Sequence, residues 1–271
     1  MSTSRDNREE PLPLWSRLLD HNADGQHRKK GSGQSDHYEV EIANRLWSLW
    51  GTLRAVEPRA PQLQAEQVSV SGRSSDLQAV HPTVPGRILA CCVIACCAGS
   101  FLDLDSWDAR LLDSIMECGQ EYYDASLVLR QRRDPTGDLA LETLHTSCCL
   151  EAQQFWVDTE KLVCGKLYSR TKSLGWALSL FFGQQFQTGI LQVKDQALAF
   201  GFIPEFSAGG AFFMFHCQAS GKPLFKDSER APYVLRMRQL QQLLYCILIT
   251  LDERQRKVPF RIYKVACVPK T

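Results

Sequence analysis

The stretch that decides the fold is Gly86–Leu127, GRILACCVIACCAGSFLDLDSWDARLLDSIMECGQEYYDASL. From Ile88 to Leu102 it carries no charge. After Ser106-Trp107-Asp108, apolar residues return at Leu111, Leu112, Ile115, Met116, Tyr122, Tyr123 and Leu127. That three-and-four spacing is the period of a helix with one buried face. Two consecutive helices are expected, the first apolar all round and the second amphipathic. The first run has 15 residues, below the ~20 that a membrane-spanning helix needs, and Asp103 and Asp105 follow at once. It therefore reads as a buried core helix, and no membrane partner is expected.

The whole chain has 271 residues, 44% hydrophobic and 23% charged, with a net charge of +1. These are the proportions of a globular protein, and they give no global electrostatic case for nucleic acid. Of the 11 cysteines, six form the adjacent pairs Cys91-Cys92, Cys96-Cys97 and Cys148-Cys149. Neighbours in an apolar run are poor disulfide partners. MSTSRDNREEP at the start is polar, without a secretory signal. A reducing compartment, cytosol or nucleus, is expected, with the cysteines as small buried hydrophobes. No CxxC pair or Cys/His run has metal-ligand spacing, so neither metal nor cofactor is expected. Asp103, Asp105 and Asp108 read as an acidic cluster at a helix start, favoured by the helix dipole.

Outward on the N-terminal side, residues 1–35 read as a mobile polar tail. Residues 36–56 carry Tyr38, Val40, Ile42, Leu46, Trp47, Leu49, Trp50 and Leu53 at helical spacing, which predicts an amphipathic helix. Residues 57–83, with Pro58, Pro61 and Pro82, read as a linker, which makes the helix a separable appendage.

On the C-terminal side, 84–271 reads as one α+β domain. Residues 139–168 suggest short strands or irregular pieces. Leu174 to Phe186 predicts a helix with Ser173 as N-cap. Strands follow at Gly189–Val193, Ala197–Ile203, Ala211–Phe215 and Tyr233–Met237, then an amphipathic helix Leu240–Leu251 and a last strand Phe260–Val268. Helices first, then a mostly antiparallel sheet with inserted helices, is an α+β order.

That order carries a resemblance. Trp107, Leu112-Asp113-Ser114-Ile115, Gly119 and Tyr123 resemble the second helix of papain-like cysteine peptidases of the herpesvirus tegument deubiquitinase type. AFFMFHCQASGKPLF, followed by a strand and a helix, resembles that family's second block, an aromatic strand ending in Phe-Asp-Ser-His. The likeness spans about residues 84–268 and implies a papain-like core, a central buried helix packed on the sheet. The family's mechanism is thiol acyl transfer. A Gly-Asn-Gln-Cys turn places a nucleophile at the start of the central helix, where the dipole lowers its pKa. The Gln holds the oxyanion, a His takes the proton, and an Asp orients the His.

Carried over by position, the turn falls on Gly86-Arg87-Ile88-Leu89. Leu89 stands at the nucleophile and Ile88 at the oxyanion glutamine. Phe215 matches the motif's Phe, which puts His216 at the orienting acid and Gln218 at the general base. Leucine offers no nucleophile, isoleucine no donor, and glutamine does not take a proton near neutral pH. The resemblance thus implies a pseudoenzyme with no catalytic residues, acting as a protein–protein interaction module for ubiquitin-like or assembly partners. Two other classes stay open. One is a rearranged thiol hydrolase using Cys91 or Cys92 with His216. The other is a chromatin- or RNA-associated adaptor using the basic group Arg236, Arg238, Arg254, Arg256, Lys257 and Arg261, with Tyr263 nearby.

Overall fold

The computed structural model describes residues 46–50, 84–131, 139–204, 210–218, 232–255 and 257–270. The tail 1–35 and the linker 57–83 of the sequence reading lie outside them. The elements are β1 (Leu46–Trp50), α1 (Pro85–Phe101), α2 (Ala109–Gln131), β2 (Ser147–Leu150), β3 (Gln153–Lys166) and α3 (Leu174–Gly183). They continue as β4 (Thr188–Val193), β5 (Gln196–Ile203), β6 (Ala211–His216), β7 (Tyr233–Met237), α4 (Leu240–Leu251) and β8 (Pro259–Pro269). Single turns of 3-10 helix lie at Leu104–Ser106 and Leu141–Thr143.

α1 is the apolar run of the sequence, and every residue from Ile88 to Gly99 is buried. A helix apolar on all sides needs cover on all sides. Here α2 lies along one flank and the sheet along the other. α2 buries Leu111, Leu112, Ile115, Met116 and Tyr122. Its first turn is capped by Asp108, whose Oδ1 accepts from the Leu111 amide at 2.8 Å. A capping carboxylate also complements the dipole. Gly119 lets the two helices touch: a Cβ there would stand 2.5 Å from the Cys91 Sγ and 2.8 Å from the Cys91 Cα.

The strands form one eight-stranded sheet in the order β1-β7-β6-β5-β4-β8-β3-β2. Every neighbouring pair is antiparallel. α1 and α2 cover one face, burying Phe155, Ile190, Ala199, Phe213, Phe215 and Val265. α3 and α4 cover the other, burying Leu191, Leu198, Phe200, Met214, Tyr233 and Ile262. β4 and β5 are therefore buried on both faces and read as near-continuous apolar runs. Ser173 caps α3 by accepting from the Trp176 amide at 3.2 Å. α4 starts with a capping box between Gln239 and Gln242.

The stretch 36–56 corrects the sequence reading. Leu46–Trp50 is an edge strand paired with β7, with Leu46 opposite Met237 and Trp50 opposite Tyr233. It belongs to the main sheet and is not part of a helical appendage. The rest of 36–56 lies outside the described residues. Five residues are too few to separate a period of 3.6 from a period of 2, and the open edge of β7 supplies backbone partners.

Candidate functional site at the start of the central helix

α1 begins at Pro85, after Val84 as an N-cap without a side-chain hydrogen bond. Proline suits the first helical position because its missing amide would be an orphan there. The next turn is enclosed. A Cβ on Gly86 would stand 2.9 Å from the Leu139 Cβ and 3.0 Å from the Tyr123 Cε2. Ile88 is 1% exposed and Leu89 2%. Both belong to the core between α1, α2 and the sheet. The positions that the resemblance assigns to an oxyanion donor and a nucleophile are thus packed hydrocarbon. Arg87 places its Nε in this turn, buried and without a hydrogen-bond partner.

Cys91 and Cys92 lie deeper in α1, each fully buried. A hydrogen bond with Cys217 and then burial push the Cys91 thiol well above the ordinary thiol range. Burial also raises Cys92. Both effects favour the protonated, unreactive sulfur.

The second half of the site is set by β6. Successive side chains of a strand point to opposite faces. Phe213, Phe215 and the following Cys217 lie in the core with α1. Met214 lies in the core with α3 and α4, and His216 shares its parity. His216 is register partner to Tyr233, another residue of the α3–α4 core, with ring centroids 5.4 Å apart. Cys217, by contrast, turns its sulfur toward the Ile88 carbonyl, 4.0 Å away. The sheet therefore lies between His216 and the pair Cys91 and Cys92. The structure does not bring Cys91 or Cys92 together with His216, because one residue of strand is one change of face.

His216 is 1% exposed, and neither ring nitrogen has a hydrogen-bond partner. Burial lowers its pKa from 6.5 to about 4. Gln218 has a local structural role. Its Oε1 accepts from the Ala197 amide at 3.1 Å and its Nε2 donates to the Asp195 carbonyl at 3.2 Å. That ties the end of β6 to the β4–β5 turn. His145, the other histidine among the described residues, sits exposed before β2 with Nδ1 2.8 Å from the Ser147 carbonyl oxygen.

Cys217 and Arg87 are what the sequence reading passed over. The alternation Phe213, Phe215, Cys217 carried the signal for the first. For Arg87 no pattern in the sequence marks a half-buried side chain with an enclosed Nε. Of the basic C-terminal group, Arg256 lies outside the described residues, and Arg238, Arg254, Lys257 and Arg261 are exposed. Tyr263 is 2% exposed inside the α1 core, so its ring offers no stacking face to a nucleobase. Among the described residues no group of three or more His, Cys, Asp or Glu side chains is arranged to hold a metal ion. Among them, too, no helix is long and apolar enough to cross a membrane.

No protein-family model matches the chain, and no curated protein matches it. Among solved structures it is similar to the ubiquitin-specific protease encoded by the murine cytomegalovirus tegument protein M48, solved in complex with a ubiquitin-based suicide substrate. The TM-score is 0.52 at 13% sequence identity, over 70% of this chain and 81% of the viral one. At that identity the likeness is one of fold alone: helices and an antiparallel sheet with structural similarity to a papain-like protease.

Proposed function

We propose that this chain is a cysteine-peptidase-type scaffold that has lost thiol acyl transfer and works by binding a protein, with ubiquitin-like folds as the first partner class. One observation carries the loss of chemistry. The alternation along β6 puts Cys217 against α1 and His216 on the far face of the sheet. A nucleophile and its base must come within hydrogen-bond reach, about 2.6–3.2 Å, and a sheet between them forbids it. The burial of Ile88 and Leu89 supports the same reading. The partner class rests on the fold shared with a protease that accepts a ubiquitin-based substrate.

The test has two arms. The full chain is incubated with ubiquitin carrying a C-terminal electrophile and analysed by intact mass, and unmodified ubiquitin and its homologues are titrated against it by calorimetry. The expected result is no covalent adduct together with saturable binding of at least one ubiquitin-like protein. An adduct on Cys91 or Cys92 would refute the loss of chemistry. Absence of binding to the whole panel would remove the partner class and leave the scaffold reading in place.

A further inference from the structure

Three thiols from three separate elements meet on the α1 side of the sheet. Cys97 of α1 holds its Sγ 3.2 Å from the Cys267 Sγ on β8 and 3.5 Å from the Cys148 Sγ on β2. Strand parity brings them together. Cys148 is register partner to Phe155, and Cys267 to Val157. Phe155 and Val157 both face α1, and β2 and β8 flank β3. Cys97 is fully buried and Cys148 is 7% exposed, whereas Cys267 is half-buried on the rim. Among the three, Cys267 is therefore the most open to a small oxidant, with Cys97 buried behind it.

From this juxtaposition of Cys97, Cys148 and Cys267 we infer an oxidation site, at which hydroperoxide converts the Cys97–Cys267 pair into a disulfide tying α1 to β8. The sulfurs must close from 3.2 Å to the roughly 2.05 Å of an S–S bond. First, the Cys267 sulfur attacks one peroxide oxygen. An S–O bond forms, the O–O bond breaks, and the leaving hydroxide takes up the thiol proton as water, leaving a sulfenic acid. Second, the Cys97 sulfur attacks that sulfur. The S–S bond forms, the S–O bond breaks, and the departing hydroxide carries off the Cys97 proton as a second water. Two thiols and one hydrogen peroxide give one disulfide and two waters, and dithiol exchange reverses the bond. Contacts with Cys148 and Cys267, then burial, hold Cys97 protonated. Burial keeps Cys97 from the oxidant and so makes it the resolving thiol, and its held proton slows the second step, so the bond forms on prolonged exposure instead of in a burst. Cys91, Cys92 and Cys217, equally crowded but fully buried, are shielded from the oxidant.

The experiment uses the full chain, purified reduced, exposed to hydrogen peroxide, alkylated and digested without reductant for mass spectrometry. The expected product is a Cys97 peptide linked to a Cys267 peptide, in excess over any other linked pair and abolished by dithiothreitol. Cys267→Ser is expected to lose that species and to leave Cys97 alkylated. The wild-type map alone decides the matter should the variant fold poorly. Linkage among Cys91, Cys92 and Cys217 with Cys97 and Cys267 both alkylated would overturn the inference. So would Cys267 over-oxidised to sulfinic acid beside a free Cys97.

Discussion

Replacing His216 by leucine separates a base from a buried passenger. In the native chain the imidazole is 1% exposed with both nitrogens unpartnered, and burial lowers its pKa from 6.5 to about 4. Between those values the unfolded chain holds the proton and the folded chain does not, so stability rises with pH across that window. The contribution is complete above the unfolded value and is lost as pH falls toward the folded one. Taking 1.36 kcal/mol per pH unit, the wild type loses about 2 kcal/mol from this group between about pH 7.5 and about pH 5. His216→Leu does not. At the upper pH the variant is expected to equal the wild type or exceed it by about 1 kcal/mol, because it removes buried polar atoms that nothing satisfies.

The assay is urea unfolding of both proteins at the two pH values. Background titrations cancel in the difference. An imidazolium paired with a thiolate would have its pKa raised, and His216→Leu would then lose stability at neutral pH. Parallel pH profiles for the two proteins would refute the buried neutral imidazole. A variant less stable at the upper pH only would point back to a thiol–imidazole pair.

Gly119→Ala is expected to cost about 1–3 kcal/mol in urea unfolding, because the new methyl meets the Cys91 Sγ and backbone. Gln218→Ala should cost about 1 kcal/mol, the worth of the bonds to Asp195 and Ala197, and should leave ubiquitin-family binding unchanged. Leu89→Cys places a thiol at the position that the resemblance matches to the family's nucleophile. It is expected to stay unlabelled by ubiquitin electrophiles and to lose about 1–3 kcal/mol of stability, since the site is 2% exposed core.

The helical pair was legible because both kinds of periodicity lay in plain view: an uninterrupted apolar run for α1 and a three-four stripe for α2. Strands β4 to β7 were legible for a related reason, since burial on both faces leaves them dense in apolar residues, and β8 was legible from its buried Phe260, Ile262, Tyr263 and Val265. β3 was not. Its outer part carries Asp158, Thr159, Glu160 and Lys161, which break the apolar pattern, yet the strand is 14 residues long and pairs with β8 from Phe155 to Lys166. One face of that ribbon meets solvent, and the backbone ladder, invisible in composition, holds it extended. β1 was misread because Trp47 and Trp50 fit a helical stripe as well as a strand. At the site, the burial of Ile88 and Leu89 could be read from the apolar run of α1 alone. The face of His216 could not, because it depends on a single-residue phase fixed by Phe213 and Phe215 packing on α1.

That phase bears on whether a modest rearrangement could restore thiol chemistry. Bringing His216 to the α1 face requires β6 to slip by one residue, and a slip of one exchanges every side chain between faces. Phe213 would leave its contact with Trp107, 5.6 Å between ring centroids, and its fit against Gly99 and Gly201. Phe215 would vacate the same core, and Met214 would enter it. Holes left by large aromatic side chains cost about 3–5 kcal/mol each, against a net stability of about 5–15 kcal/mol for a whole domain. Cys91 is closely packed as well, since α1 meets α2 at Gly119, where an added Cβ would stand 2.5 Å from the Cys91 Sγ. The separation of thiol and imidazole is therefore a property of the packed core as a whole. On the proposed reading, thiol acyl transfer would need both a nucleophile and a base placed anew, in a helix start where Ile88 and Leu89 are packed in the core.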